Sequence, residues 1–405
     1  MQKADETGLG ISAGLRAGLA VILVALSTAF AAGQAELRDR LGSLIENNAD
    51  LRAATVGVSV RGVGATNTTL FSLNGDEPLL PASNMKLLTT GAALLVLEPD
   101  MHFETELGLR GQDLVIVGSG DPGLGDPALL NIDGSPKTAD DFLDELAGVV
   151  AERGPRRLQS IIVDDRVFDR EGAHPTWSRD QLNRWYSAEV AGVNFFTNVL
   201  TFYFEGDGVG GPPTLTVEPR VATQASWMTM DNAAEVVRGG QNTVWIARPQ
   251  PANRFRAFGN VRRGTTARVH VAVHQPQLVF GYLLAERIAS RGVRCGSGTD
   301  IADAVRLADA DEDLTGAEPI AKVRTALNDA LVRANTRSQN LYTEALIKRI
   351  GHDVTGDPGS WENGAAVIRM LLSERLGPDH ATSTAIADGS GLSRGNRVTP
   401  ATLTA

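Results

Sequence analysis

The sequence predicts an α/β protein in which helices near the start and in the last third of the chain flank a long, mainly β stretch. Three observations carry this expectation. Short β-rich runs precede the first strong helix, residues 103–275 are rich in strand, glycine and proline signals, and apolar residues at helical spacing return from Pro276 onward. With 405 residues the chain is too long for one ordinary domain, so it needs two or more packed units or one domain with a large insertion. Hydrophobic residues make up 42% and charged residues 21%, close to globular averages, which excludes a disordered, fibrous or polytopic membrane protein. A net charge of −10 without any block of like charges excludes nucleic acid as a partner.

The elements follow in order. After Arg16 the apolar run Ala17 to Phe30 leads to Ala29-Phe30-Ala31, a small-x-small cleavage pattern, so residues 1–35 read as a secretory signal peptide and the expected location is the periplasm. The run is too short for a membrane span of about 20 residues. No cysteine directly follows it, which rules out lipoprotein processing. Two strand-like runs, Thr55 to Val60 and Thr68 to Phe71, come next, with a tight turn at Asn74-Gly75. A helix is predicted over 81–97, opened near Ser83 and closed by Glu98-Pro99. Beyond the β-rich stretch, helices are predicted over 278–288, 340–350 and 361–375, each stopped by glycine or Gly-Pro.

Chemistry concentrates in two short motifs. A serine hydroxyl is a poor nucleophile and needs a base within hydrogen-bond reach. Positions i and i+3 of a helix are neighbours, so Ser83-x-x-Lys86 places an amine beside the hydroxyl. Burial and the positive end of the helix lower the lysine's proton affinity. Ser338-Gln339-Asn340, just before a later helix, offers a hydroxyl to relay a proton and an amide to orient the lysine and a substrate carbonyl. Either motif alone is cheap: Ser72-Leu73-Asn74 also matches Ser-x-Asn and reads as the approach to a turn.

Their setting carries more weight. The segment Pro81-Ala-Ser-Asn-Met-Lys-Leu-Leu-Thr89 resembles the nucleophile segment of the class C low-molecular-mass penicillin-binding proteins, the D-alanyl-D-alanine carboxypeptidase/endopeptidase family. Gly118-Ser-Gly-Asp-Pro122, Val163-Asp-Asp165, Tyr186 to Asn194, Ser338-Gln-Asn-Leu-Tyr-Thr-Glu344 and Asp388-Gly-Ser-Gly-Leu-Ser-Arg394 resemble that family's other landmarks in the same order. The resemblance covers the chain from about Glu36 to its end. It implies a penicillin-binding (DD-peptidase/β-lactamase-like) domain in two parts, 36–102 and 276–405, enclosing inserted, mainly β domains over 103–275. It further implies an acyl-enzyme mechanism without cofactor or metal, with Ser83 as nucleophile, Lys86 as base, Ser338 assisting the leaving group and Asn340 binding substrate. The implied ligands are peptidoglycan stem peptides ending in D-Ala-D-Ala, with β-lactams as inhibitors. No obligate protein partner is implied.

One landmark is missing. Such enzymes carry a third element, Lys-Thr-Gly, on a strand lining the cleft, in the family roughly a hundred residues after the second motif. No such string follows Asn340, and Lys137-Thr138-Ala139 lies upstream and reads as a polar turn. The expectation is therefore a C-terminally truncated chain that lacks strands of its sheet, with doubtful turnover. The alternative from another class is a non-catalytic remnant that binds peptidoglycan or penicillin.

Other motifs fail in context. Gly118-Ser-Gly-Asp-Pro-Gly123 matches a dinucleotide turn, but Pro122 and Pro127 interrupt the helix that must follow. Gly391-Leu-Ser-Arg-Gly395 matches a hydrolase nucleophile elbow, yet no Asp, Glu or His follows Ser393; a turn bordering the active site fits better. No tyrosine has Asn two residues on, which excludes the Tyr-x-Asn motif of class C β-lactamases and esterases. The six histidines and the single Cys295 have no metal spacing. His270 and His274 read as solvent-side strand residues and Cys295 as a buried thiol.

Overall fold

The computed structural model describes residue 33 and residues 35–405 except 65–67, 133–134 and 224; the side chains of 131–136 are also outside the description. The apolar run and cleavage pattern of the expected signal peptide lie outside the described residues. Among the described residues no helix is long and apolar enough to cross a membrane.

The chain divides into two compact units. The smaller comprises the described residues up to Leu79 together with Val398–Ala405. Its strands β1 (Val58–Arg61) and β2 (Thr69–Leu73) pair antiparallel, Val58 opposite Leu73 and Val60 opposite Phe71. The predicted turn follows: Asn74 takes a positive φ of 48° and its amide donates to the Val56 carbonyl at 2.8 Å. A short C-terminal helix, Pro400–Thr404, belongs to the same unit, with Thr404 Oγ1 2.7 Å from Ser59 Oγ.

The larger unit, Leu80–Arg397, is mixed α/β. Helix α1 (Met85–Val96) follows a single 3-10 turn, Ala82–Asn84. Strands β3 (His102–Arg110) and β4 (Asp113–Gly118) come next, then helix α2 (Ala139–Arg153) and strand β5 (Ser160–Asp164). Helix α2 is not anticipated by the strand, glycine and proline signals of this stretch. Its start is chemically explicit: Thr138 and Asp141 form a reciprocal capping box that satisfies backbone donors at the N-terminus.

A β layer occupies residues 199–272, where β6 (Val199–Glu205) sits between β7 (Thr214–Glu218) and β8 (Thr266–Ala272), both antiparallel to it. Helix α3 (Pro276–Ser290) then leads to β9 (Val305–Leu307) and β10 (Glu318–Ala326). These last two strands complete a five-stranded sheet of order β9-β5-β4-β3-β10, parallel on the β9-β5-β4 side and antiparallel on the other. Central strands are buried on both faces, and the period of two divides their side chains. Leu114, Ile116, Ile161 and Val163 belong to the main core with Leu143 and Leu146 of α2 and Phe280, Leu284 and Ile288 of α3. Val115 and Ile162 pack on the opposite face with Ala308. Gly281 permits the close approach of α3, since a Cβ there would stand 2.5 Å from Val305 Cγ1.

A helical layer completes the unit: α4 (Leu327–Thr336), α5 (Asn340–Thr355) and α6 (Trp361–Leu376). Helix α5 is buried almost all round and shares a core with α1, α4 and α6 through Leu341, Tyr342, Leu346, Ile347 and Ile350. Glycines bring α5 and α6 together. A Cβ on Gly364 would stand 2.0 Å from the Ile347 carbonyl oxygen, and one on Gly351 2.1 Å from Asn363 Oδ1.

Candidate active site

Ser83 lies in the 3-10 turn that opens α1 and is solvent-exposed. The turn is strained, because Ala82 carries a positive φ of 44°. One turn further on, Lys86 is 2% exposed. Its three N–H donors have three acceptors: Asn340 Oδ1 at 2.7 Å, the Ser390 carbonyl at 2.9 Å and Ser83 Oγ at 3.5 Å. Two short bonds thus fix the amine and the third, long one points at the serine. Burial lowers the proton affinity of this amine, while the carboxyls of Glu344 and Asp388 oppose the shift.

Ser338 and Asn340 reach the same point from the start of α5. Ser338 Oγ stands 3.2 Å from Ser83 Oγ, held there by a backbone with φ 52°. Asn340 accepts from Lys86 and donates through Nδ2 to the Tyr186 carbonyl at 2.7 Å, which fixes which way its amide faces. All four residues singled out in the sequence therefore converge.

The fourth side of the site is the loop 388–391, whose Gly391 begins the stretch that the sequence placed as a turn bordering the active site. Gly391, at φ 86°, lies so close to the nucleophile turn that a Cβ there would stand 1.7 Å from the Ala82 carbonyl oxygen. Behind the loop, Asp388 and Glu344 are both fully buried. Asp388 accepts from Trp177 Nε1, Asn396 Nδ2 and the Gly391 and Ser393 amides at 2.6 to 2.8 Å. Glu344 accepts from Trp361 Nε1 at 2.7 Å and from the Ser390 and Gly389 amides at 2.8 and 3.0 Å. Burial, with the negative charge of Asp388 next to it, pushes the Glu344 carboxyl up to about 7. A glutamate one helical turn after Asn340 and an aspartate in Asp-Gly-Ser-Gly were the available signals. Their burial was not legible.

The remaining candidates resolve as structure. Thr138 caps α2 and Lys137 pairs with Glu145 at 2.7 Å. The Gly118-to-Gly123 turn leads into no helix; its Asp121 is buried, bonded to the Gly123 amide and the Thr325 hydroxyl, each at 2.8 Å. His270 is exposed on β8 beside the Thr201 hydroxyl at 2.9 Å. His274 departs from the solvent-side expectation: it lies past the end of β8, half-buried, with Nδ1 2.9 Å from Glu189. Cys295 is a buried free thiol that burial pushes up to about 11.

Comparison with known proteins agrees on one family. The family model described as the D-Ala-D-Ala carboxypeptidase 3 (S13) family matches residues 37–405. A D-alanyl-D-alanine carboxypeptidase of Actinomadura sp. is 34% identical over 397 residues, covering 94% of this chain and 68% of the relative. Among solved structures, penicillin binding protein 4 (dacB) of Haemophilus influenzae superposes with a TM-score of 0.65 at 20% identity, covering 84% of this chain and 71% of that one. The same protein complexed with a novel β-lactam gives 0.61 at 19% identity, with 86% and 72% covered.

Proposed function

Because the chain belongs to the D-Ala-D-Ala carboxypeptidase 3 (S13) family, we propose that Ser83, Lys86, Ser338 and Asn340 are the residues through which it cleaves peptidoglycan stem peptides. The chain is a serine-type D-Ala-D-Ala carboxypeptidase of peptidoglycan. The single observation that supports these residue roles is that Ser83 Oγ has Lys86 Nζ at 3.5 Å and Ser338 Oγ at 3.2 Å, with Asn340 Oδ1 holding the amine.

In this reading Lys86, in its neutral form, takes the proton of Ser83 as Oγ bonds to the carbonyl carbon between the two D-alanines. The C–N bond breaks, the proton passes through Ser338 to the departing amine, and the terminal D-alanine leaves. Water then attacks the ester, its proton returns through Lys86 to Ser83, and the shortened peptide is released. A β-lactam follows the first half: its amide opens on Ser83, and the leaving amine stays tethered to the acyl group. Substrate chemistry places the enzyme outside the cytoplasmic membrane, since peptidoglycan lies there; export by the 1–35 segment belongs to this proposal. The sheet partners of β9 and β10 favour ending the inserted region near residue 326 and not at 275, with the helical layer from α4 onward joining α1 around the site.

The test is the intact mass of the purified chain after incubation with penicillin. A single adduct is expected, absent from Ser83→Ala. A folded chain that forms no adduct, or a Ser83→Ala variant that still forms one, overturns the reading.

A further inference from the structure

Asn340 and Glu344 are four residues apart on α5, so one helix face serves two functions: Asn340 Oδ1 binds the Lys86 amine directly, and Glu344 binds it at one remove. The link is the backbone of Ser390. Its N–H donates to Glu344 Oε1 at 2.8 Å and its carbonyl accepts from Lys86 Nζ at 2.9 Å. The Gly389 amide is held by the other carboxylate oxygen, and the Gly389 carbonyl accepts from Thr89 Oγ1 of α1 at 2.8 Å. A fully buried carboxylate therefore anchors two successive residues whose carbonyls both face the nucleophile helix. Nothing in the reaction above uses it.

We propose that Glu344 is a positioning residue for the Ser83–Lys86 pair, aiming the Ser390 carbonyl at the amine and setting by its own ionisation how readily Lys86 gives up a proton. The inference rests on the reading of Lys86 as proton acceptor. The Trp361, Gly389 and Ser390 N–H groups that donate to Glu344 cannot accept, and the Ser390 hydroxyl also favours the ionised carboxyl, so this hydrogen bonding supports the anion. Burial and Asp388 act the other way and bring the carboxyl to titrate near neutrality. While Glu344 is ionised its charge favours the ammonium form of Lys86; once it is protonated, the amine is freer to become the neutral base.

The other charges near this pair are accounted for. Asp388 lies in the adjoining loop with four N–H donors. Lys348, on the same helix as Glu344, is paired with Asp169 and donates to the Glu171 carbonyl, its amine 4.0 Å from the centre of the Trp361 ring. The Glu171 carboxyl attracts Lys348 as well, and His174 packs edge-on against Trp361. Among these groups Glu344 alone bonds an amide of the residue whose carbonyl holds Lys86.

The chain has five lysines, Lys3, Lys86, Lys137, Lys322 and Lys348, so protein labelled with 13C only at lysine gives a sparse NMR spectrum in which Lys86→Arg assigns the resonance of interest. The Lys86 signal is expected to inflect near pH 7, as Glu344 ionises, as well as at its own midpoint. In Glu344→Gln the neutral-pH inflection disappears and the Lys86 midpoint falls by about one pH unit, the lower end of the effect of a nearby opposite charge. Glu344→Asp keeps the charge and retains both inflections. A wild-type curve with no inflection near neutrality overturns the proposal, and so does an unchanged Lys86 midpoint in folded Glu344→Gln. If Glu344→Gln does not fold, the wild-type curve decides alone. Penicillin acylation followed against pH separates this inference from its premise. Lys86→Ala that acylates like wild type removes the premise, and the proposal with it. An inert Lys86→Ala beside a Glu344→Gln whose acid limb has not moved overturns the positioning role alone.

Discussion

Replacing Gly391 by alanine tests how the loop 388–391 supports the nucleophile turn. Two costs are separable. The first is conformational: an alanine at φ 86° sits in the left-handed region, which costs about 1 to 2 kcal/mol. The second is steric, because the new Cβ would stand 1.7 Å from the Ala82 carbonyl oxygen and 3.1 Å from Met85 Cβ. That oxygen is backbone and cannot rotate away, so the loop or the Ser83 turn must shift, an overpacking cost of about 1 to 3 kcal/mol. Gly210 provides the control. Its φ is 84°, and a Cβ there meets nothing within 4 Å, so Gly210→Ala carries the conformational cost alone. Urea denaturation of the two variants is expected to show Gly391→Ala about 1 to 3 kcal/mol less stable than Gly210→Ala. Penicillin acylation should slow by about 10-fold or more in Gly391→Ala, since misplacement of about 1 Å at a reacting centre can cost 10²-fold, and stay at the wild-type rate in Gly210→Ala. If the two variants are equally stable and acylate alike, the claimed contact between loop and nucleophile turn is wrong.

Two further outcomes are expected. Burial pushes the Asp121 carboxyl up to about 7, so between its ordinary value near 3.8 and that point the folded chain holds a proton that the unfolded chain has lost. Stability from this group is full below pH 3.8 and declines by about 1.4 kcal/mol per pH unit as pH rises towards 7. Asp121→Asn should flatten the stability–pH curve by that slope, and an unchanged slope refutes the assignment. Arg333 binds the buried Asp126 through Nε at 3.0 Å and Nη2 at 2.6 Å, with the Tyr342 hydroxyl also on Asp126 at 2.6 Å. Arg333→Met leaves that carboxylate without its counter-charge and should cost about 3 to 5 kcal/mol, much of it recovered in the Arg333→Met, Asp126→Asn double variant. Chemical denaturation of the three chains checks this, and no recovery in the double variant counts against a charge origin.

Helices with strong apolar periodicity were legible in the sequence by themselves: α1, α3 and α6 begin and end within a few residues of their predicted bounds, because capping and stop signals are local. Helix α5 starts as predicted but runs through Gly351, the expected stop, to Thr355, since Gly351 packs against α6 and the helix ends at Gly356. Among the longer helices, α2, whose capping box sits amid turn-like residues, and α4, which directly follows strand β10, were missed. The local spacing of Ser83 and Lys86 fixed their contact, and the chain order of recognisable motifs indicated that Ser338 and Asn340 belong with them. What no local pattern contained is the pairing of β9 with β5 and of β10 with β3, strands far earlier in the chain, the close approach of Gly391 to Ala82, and the burial of Glu344 and Asp388 behind Lys86. Those depend on contacts between distant segments. A carboxylate's sequence neighbours do not say whether water or protein will surround it, and that surrounding decides how a side chain's charge acts on the site.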